Sequence, residues 1–361
     1  MRGSRVRTTK NTRLHKAGEG DTMFIKKIAI AATLALAANM APVHAETTLL
    51  FNVFVPRSNN FHKVAEQWAN DVKTATNGEV IINFTAGNMA PPPEQLEAVK
   101  SGVFDIAFIA NIFLKNKAPL LQATMLPWLV NKSENASVAL WNIYKQHIEP
   151  KAPFPDAHLL TLFHWEGGHV ASITDTAINS IDELKSRKMW ALPGPPADTL
   201  KTLGMSPVAT PAIQVGEMVS RKIVSGYTGI APEIARDFKA GSYTKSITRF
   251  PRSITSTSFS VFINKDKWNA LSQKNKDAIS SVSGEHFAAM AGAASNREMQ
   301  AALDEMTKHG VKVVQADPKF YEALQAAATP QFDAMREEGK RLGVDIDAML
   351  ADFIQKSDAL N

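Results

Sequence analysis

The sequence predicts an α/β protein of two units in tandem, and three observations lead there. The chain has 361 residues, 45% of them hydrophobic and 21% charged, which suits about two domains of roughly 150 residues each around real cores. Strand-like and helix-like segments alternate through both halves. A pattern rich in Ala, Met and Glu then runs from Lys274 to about His309. As a helix at about 1.5 Å per residue it reaches about 50 Å, more than one small domain needs, so it is expected to run across both.

The first unit opens with Thr48 to Val55, β-branched and aromatic, a predicted strand that ends at Pro56. Phe61, Ala65, Trp68 and Val72 then recur at helical spacing until Asn77-Gly78 stops the run, and Val80 to Phe84 is the second strand. Strand, helix, strand implies a parallel pair, because a crossover of this length joins parallel neighbours. Pro93-Glu94 starts the next helix, Leu96 and Val99 give its buried face, and Gly102 ends it before the apolar strand Phe104 to Ile109. The second unit repeats the logic. Ile181 to Leu184 is a helical turn, Lys188 to Ala191 a strand, and Pro196 to Leu203 a helix closed by Gly204. Met205 to Thr210 is extended, Pro211 opens another helix, and Ile223-Val224 leads to Gly226. A β-rich stretch, Ser258 to Asn264, precedes the long helix, and Pro318 to Leu360 is helical.

The formal net charge of +5 and a sequence pI of about 9.2 suggest an acidic partner, but the location of the charge removes that inference. Arg2, Arg5, Arg7, Lys10, Arg13, Lys16, Lys26 and Lys27 all precede residue 46, against only Glu19 and Asp21. From Met23 the chain reads as a short basic segment, an apolar run from Ile28 to Ala38 and a small-residue end at Val43-His44-Ala45. That is the pattern of a secretory signal peptide, with cleavage expected after Ala45 and a start expected at Met23. Without residues 1–45 the chain keeps 32 basic and 33 acidic side chains. A neutral exported protein is the expectation, with no nucleic-acid partner.

Chemistry is also narrowed. The absence of cysteine closes thiolate catalysis, Cys-ligated zinc and iron–sulfur clusters. No G-x-S-x-G, G-x-x-x-x-G-K or G-x-G-x-x-G stretch occurs. His164 and His169 are separated by Gly167-Gly168 at a spacing unlike a helical zinc pair. Neither an enzyme nor a bound metal or cofactor is expected. Candidate ligand contacts come from the aromatics. Trp165 lies beside Glu166, Trp190 ends the strand Lys188-Met189-Trp190, and Tyr227 follows Gly226. Ligands of open α/β sheets bind outside the carboxyl ends of strands, where these residues are expected to stand. His169, Asn59 and Asn111 join them as candidates.

The order of elements resembles the periplasmic solute-binding proteins of TRAP (tripartite ATP-independent periplasmic) transporters. Asn77-Gly78-Glu79-Val80 is similar to the family's turn after the first helix, and Glu94 to Ala107 resembles its helix leading to a Gly-x-x-Asp strand. Leu126-Pro127-Trp128 is similar to the Leu-Pro-Phe that follows. Asp182 to Lys185 and Leu203 to Val208 resemble the two ends of its central core. Ile263 to Ser272 resembles the Asn-Lys-x-x-Trp-x-x-Leu-Ser stretch before the long helix. The resemblance implies a two-domain periplasmic binding protein fold with an interdomain ligand cleft and a long helix over both domains. On that template residues 1–45 are the leader, 46–168 and 256–295 the first domain, and 169–255 and 296–361 the second. It implies a monomer that delivers a small organic solute to the large and small subunits of a membrane permease.

The departures fall at the expected ligand. The family's carboxylate-binding arginine sits where this chain has Trp190, a second arginine aligns with His169, and an asparagine falls near Gly229. The expectation is a ligand not anchored by the usual guanidinium, either a cationic amine, with Glu166 as partner, or an aromatic solute. An organic acid held by other residues stays open, as does service to an ATP-driven transporter or a sensor.

Overall fold

The computed structural model describes Thr9 and residues 46–359; the leader, its cleavage point and the start at Met23 lie outside them. Residues 46–361 form one compact unit containing two sheets. The first sheet takes β1 (Thr47–Asn52), β2 (Val80–Phe84) and β3 (Ile106–Ala110), with α1 (Asn60–Ala75) and α2 (Gln95–Lys100) as their crossovers. β1 is parallel to both β2 and β3, as strand–helix–strand spacing requires. Asn77 and Gly78 end α1 with positive φ values of 52° and 81°, and the Gly78 N–H donates to the Lys73 carbonyl at 2.8 Å, a glycine-closed helix end.

After α3 (Ser133–Ile143) comes β4 (Ala157–Gly168), a 12-residue strand that the reading of the sequence did not contain. Leu159, Leu160, Leu162 and Phe163 are all buried, so the strand lacks the alternation that marks a half-exposed one. At His169 the chain leaves the first sheet and continues as β5 (Val170–Ser172) in the second. That sheet goes on through α4 (Ile181–Lys185), β6 (Met189–Ala191), α5 (Pro195–Thr202), β7 (Val208–Ala209), α6 (Val215–Ser220), β8 (Gly226–Thr228), α7 (Pro232–Asp237) and β9 (Ser246–Arg249). The chain then returns as β10 (Thr255–Asn264), which lies antiparallel between β3 and β4. With β11 (Lys312–Gln315) from further along the chain, the strand orders are β2-β1-β3-β10-β4 and β11-β9-β5-β8-β6-β7.

The long helical pattern is interrupted. α8 (Lys265–Ala270) and α9 (Gln273–Ser281) precede α10 (Gly284–Lys308), and the chain breaks at Val282-Ser283. The cause is tertiary. Trp68 Nε1 donates to Ser283 Oγ at 3.2 Å, Thr161 Oγ1 donates to the Gly284 carbonyl at 2.7 Å, and Gly284, at φ 52°, lies against the Trp141 indole where a Cβ would have only 2.9 Å. α10 still spans 25 residues and packs on α1, α3 and β4 of the first sheet and on α7 of the second. It leads to β11 (Lys312–Gln315), which completes the second sheet. The predicted C-terminal helix is two, α11 (Pro318–Leu342) and α12 (Ile346–Ala359), separated where Gly343 turns at φ 66°.

Each sheet is cored by two apolar clusters of its own. In the first, Phe51 meets Trp68 edge-on at 5.9 Å, and Trp68 meets Phe287 of α10 at 5.6 Å. Fully burying side chains of this size contributes about 1.5–3 kcal/mol each. In the second, Trp190 and Tyr227 pack with Val215, Val219, Ile247 and Leu303. No helix among the described residues is long and apolar enough to cross a membrane.

The crossing from β4 to β5 requires glycine. A Cβ on Gly168 would stand 2.3 Å from the backbone carbon of Gly229 and the backbone nitrogen of Ile230, atoms that cannot rotate away. Gly168→Ala is therefore expected to cost on the order of 2 kcal/mol or more of folding free energy, whereas Gly87→Ala, with nothing within 4 Å, is expected to change little. Urea unfolding of the two variants measures the difference.

Candidate functional site

A cavity of about 210 Å³ opens where strand ends of the two sheets face each other. On the first side it is walled by Phe54 and Val55 beyond β1, Asn59 and Phe61 at the start of α1, Phe108 and Ala110 of β3, Phe163 and Trp165 of β4, and Thr257 and Phe259 of β10. On the second side stand Leu192 and Pro193 beyond β6, Pro211 to Ile213 beyond β7, Gly229 to Ala231 beyond β8, and Ile234 and Phe238 at α7. The position obeys the rule for open sheets, in which loops leaving the carboxyl ends of parallel strands make the site.

The wall is aromatic because phenylalanines occupy successive positions around that edge. Phe61 stacks on Phe108 at 3.9 Å and on Phe163 at 5.5 Å, Phe54 stacks on Phe108 at 4.3 Å, and Phe259 stacks on Phe163 at 5.4 Å. Trp165 meets Phe61 edge-on at 6.2 Å. Among the described residues that line the cavity, none carries an ionisable side chain, and Asn59 and Thr257 are its polar side chains apart from the Trp165 indole. Asn59 is buried and caps α1. Its Oδ1 accepts from the Phe61 N–H at 3.0 Å, and its Nδ2 donates across the cleft to Asp237 Oδ2 at 3.1 Å. Asp237 has its carboxyl pushed up by burial, an effect opposed by the adjacent Arg236. The Trp165 indole N–H is buried with no hydrogen-bond partner among the described residues.

Two of the residues singled out from the sequence, Asn59 and Trp165, thus meet at the cavity, and four others stand elsewhere. Trp190 is fully buried in the second core and donates from Nε1 to Thr210 Oγ1 at 2.9 Å. Tyr227, opposite it in the β6–β8 ladder, bonds through its hydroxyl to Thr244 Oγ1 at 2.7 Å. Both sit inside the sheet, and the chain reaches the cavity only past the strand ends, at Leu192 and Gly229. The strand ends at Ala191, as its residues predict, so Trp190 lies within it and its ring turns into the core. His169 is at the crossing, its Nδ1 accepting from the Phe250 N–H at 3.3 Å. Asn111 is a buried bracket, its Nδ2 donating to Ser258 Oγ at 2.9 Å while its carbonyl accepts from Gln122. Glu166 follows Trp165 on β4, and its side chain is outside the described part of the structure. Phe54, Phe61, Phe108, Phe163 and Phe259 were not singled out. For four of them the available signal was a phenylalanine in or just past a strand of one sheet, β1, β3, β4 or β10; Phe61 lies in the first turn of α1.

The departure at Gly229 has a steric reason. With φ at 90° and a would-be Cβ 2.6 Å from Pro196 Cγ, an asparagine has no room there. His164, too, is no ligand-facing residue. It lies fully buried between Ser256 Oγ at 2.9 Å and Thr124 Oγ1 at 3.2 Å.

Two α/β halves joined by crossing strands, with an apolar cavity at facing strand ends, define a solute receptor. The model of the bacterial extracellular solute-binding protein family 7, DctP, matches residues 51–338, and the chain belongs to that family, the TRAP solute receptors, which bind solutes and do not transform them. It is 31% identical over 338 residues to the outer membrane transporter protein TsaT of Comamonas testosteroni, covering 94% of this chain and 99% of that one. Its fold is that of a TRAP periplasmic solute-binding protein of Bordetella bronchiseptica with bound (R)- and (S)-mandelate. The TM-score there is 0.81 at 24% identity, over 87% of this chain and all of that one. A marine metagenome TRAP protein specific for aromatic acids, in complex with 3-hydroxybenzoate, gives 0.78 at 23% identity over 87% and 99%. A Rhodoferax ferrireducens TRAP protein with copurified benzoate gives 0.75 at 20% identity over 87% and 98%.

Burial pushes both His164 and His169 down to about 3, in His169 with help from nearby Arg249. Unfolded imidazole takes its proton near 6.5, so the unfolded state binds more protons below that value and stability falls with pH from about 6.5 toward 3. The slope per histidine is about 1.4 kcal/mol per pH unit. Denaturation at a series of pH values should show this loss, and His164→Gln should remove about one proton's share of it.

Proposed function

We propose that this protein is the extracytoplasmic receptor of a TRAP transporter for a compact aromatic acid, which it hands to the large and small subunits of the permease. The observation that carries the reading is the cavity itself. An engineered apolar cavity of about 150 Å³ accepts benzene, and about 210 Å³ walled by Phe61, Phe108, Phe163 and Trp165 suits one ring with a small polar substituent. Ring edges and faces then make offset and T-shaped contacts worth about 0.5–1.5 kcal/mol each beyond burial. Mandelate, 3-hydroxybenzoate and benzoate, held by relatives of the same fold, are single-ring acids of that size.

The acid takes precedence over a cationic amine because the described lining residues offer an amine no carboxylate, and Asp237, which reaches the cavity's edge through Asn59, is engaged by Arg236 and Asn59. Trp190 has no part in this ligand site. The protein acts as a monomer, released by cleavage after Ala45, and its halves close on the solute about the crossings near residues 168 and 255. Residues 46–168 and 256–295 move as one body, residues 169–255 and 296–361 as the other.

A thermal-shift and calorimetric panel of benzoate, mandelate, 3-hydroxybenzoate, phenethylamine and succinate tests the reading. The aromatic acids should stabilise the protein by about 2.7 kcal/mol at a hundred times their Kd. Stabilisation by succinate or by phenethylamine alone would sink it. Phe108→Ala should weaken benzoate at least tenfold, roughly the effect of losing 1.4 kcal/mol of ring contact.

A further inference from the structure

We infer that Trp165 and Thr257 form the polar recognition patch of this cavity and receive the oxygens of the solute's acid group. The inference rests on the aromatic-acid reading above and specifies its chemistry. Trp165 on β4 and Thr257 on β10 are directly opposed in the antiparallel ladder, so their side chains leave the same face of the sheet about 4.5–5.5 Å apart at Cβ. Both line the cavity. The Trp165 indole N–H is buried with no hydrogen-bond partner among the described residues, and a buried donor left unpaired is costly enough that native structures rarely keep one without a use. The ring that carries this donor borders the space the solute fills.

The neighbours favour an anion at this point. Trp165 lies edge-on to Phe61 at 6.2 Å, and Phe61 is in the first turn of α1, whose N-terminal end carries partial positive charge. α1 runs 16 residues with Asn59 as its cap, and Asn59 lines the same cavity. The indole N–H and the Thr257 hydroxyl are the two donors, one for each carboxylate oxygen, with the helix end as the electrostatic background. The acid is thus recognised by neutral donors at the aromatic wall where the family's arginine strand would otherwise supply a cation.

The experiment compares benzoate with fluorobenzene, a ring of similar size without an acid group, observed by fluorine NMR. Trp165→Phe should weaken benzoate about 10- to 100-fold, the usual range for a hydrogen bond to a charged group, and leave fluorobenzene within about twofold. Thr257→Val should weaken benzoate about fivefold. Equal losses for the two probes would mean that Trp165 only packs, and unchanged benzoate binding would remove the assignment. In the wild-type protein one of the six tryptophan indole N–H signals, the one absent from Trp165→Phe or set apart by its contacts to Phe61, should move downfield on saturation with benzoate. That measurement stands even if the variant does not fold, and an unmoved signal overturns the patch. Wild-type protein that binds no aromatic acid overturns the receptor reading as well; binding with an unmoved indole signal overturns the patch alone.

Discussion

Everything else in this structure depends on one antiparallel pair, β4 and β10, which lie side by side in the first sheet and pass together into the second. Their register holds from Ala157 against Asn264 to Gly168 against Thr255, with irregularities near Thr257 and Val261. Two neighbouring strands that change sheets at one level leave little room, and the chain meets that limit with backbone instead of side chains. Gly167 faces Ser253, and Gly168 faces Gly229-Ile230. His169 supports the turn as a neutral acceptor for the Phe250 N–H, a role that needs the unprotonated ring burial enforces. The crossing therefore fixes where the second sheet begins relative to the first, and so where the two sets of strand ends confront each other.

That placement explains the character of the cavity. The residues just before the crossing on β4 and just after it on β10 are Trp165 and Thr257, so the strands that join the halves also form part of the wall. Across from them the second sheet presents Leu192, Pro193 and Gly229, none of which carries charge. Binding strength has to come from ring contact and exclusion of water. An acid buried among such residues is tolerable only if each oxygen meets a donor, since an unpaired charge in an apolar wall costs far more than ring burial returns. A guanidinium would solve that problem by charge. On the proposed assignment a pair of neutral donors would solve it by geometry, tying selection to the distance between the ring and its acid group.

The alternation of strands and helices was legible because Gly, Pro and Asn mark the helix ends of the first unit, and Asn77, Gly78 and Gly102 stand at positive φ as that punctuation implies. β4 was not legible, because both its faces are buried and its apolar run carries no period. The break at Ser283 was hidden for another reason. It is made by Trp68, Thr161 and Trp141, residues 120 or more positions away in sequence, and local propensity favours continuing the helix. Of the candidates, Asn59 and Trp165 line the cavity, and Trp165 is marked in the sequence by its position beside a glycine pair. Trp190 and Tyr227 have the same kind of position, and only three-dimensional packing separates a tryptophan in the sheet core from one at the cleft.

Asn59 shows how cap, cleft and second half are physically joined. Its Oδ1 is used by the first turn of α1 and its Nδ2 by Asp237 of α7, so the amide has committed both ends to opposite sides of the cavity. Asp237 shares Arg236, and Arg236 in turn reaches Glu298 on α10 at 3.0 Å. The bridge thus runs from the first sheet's helix through the second sheet's helix to the long helix that packs against both. Opening the cleft would separate Asn59 from Asp237, leaving a half-buried carboxyl with one partner fewer; filling the cavity holds the two walls at the spacing this contact requires. Polar bridge and apolar wall meet at one side chain, the cap that fixes the start of α1.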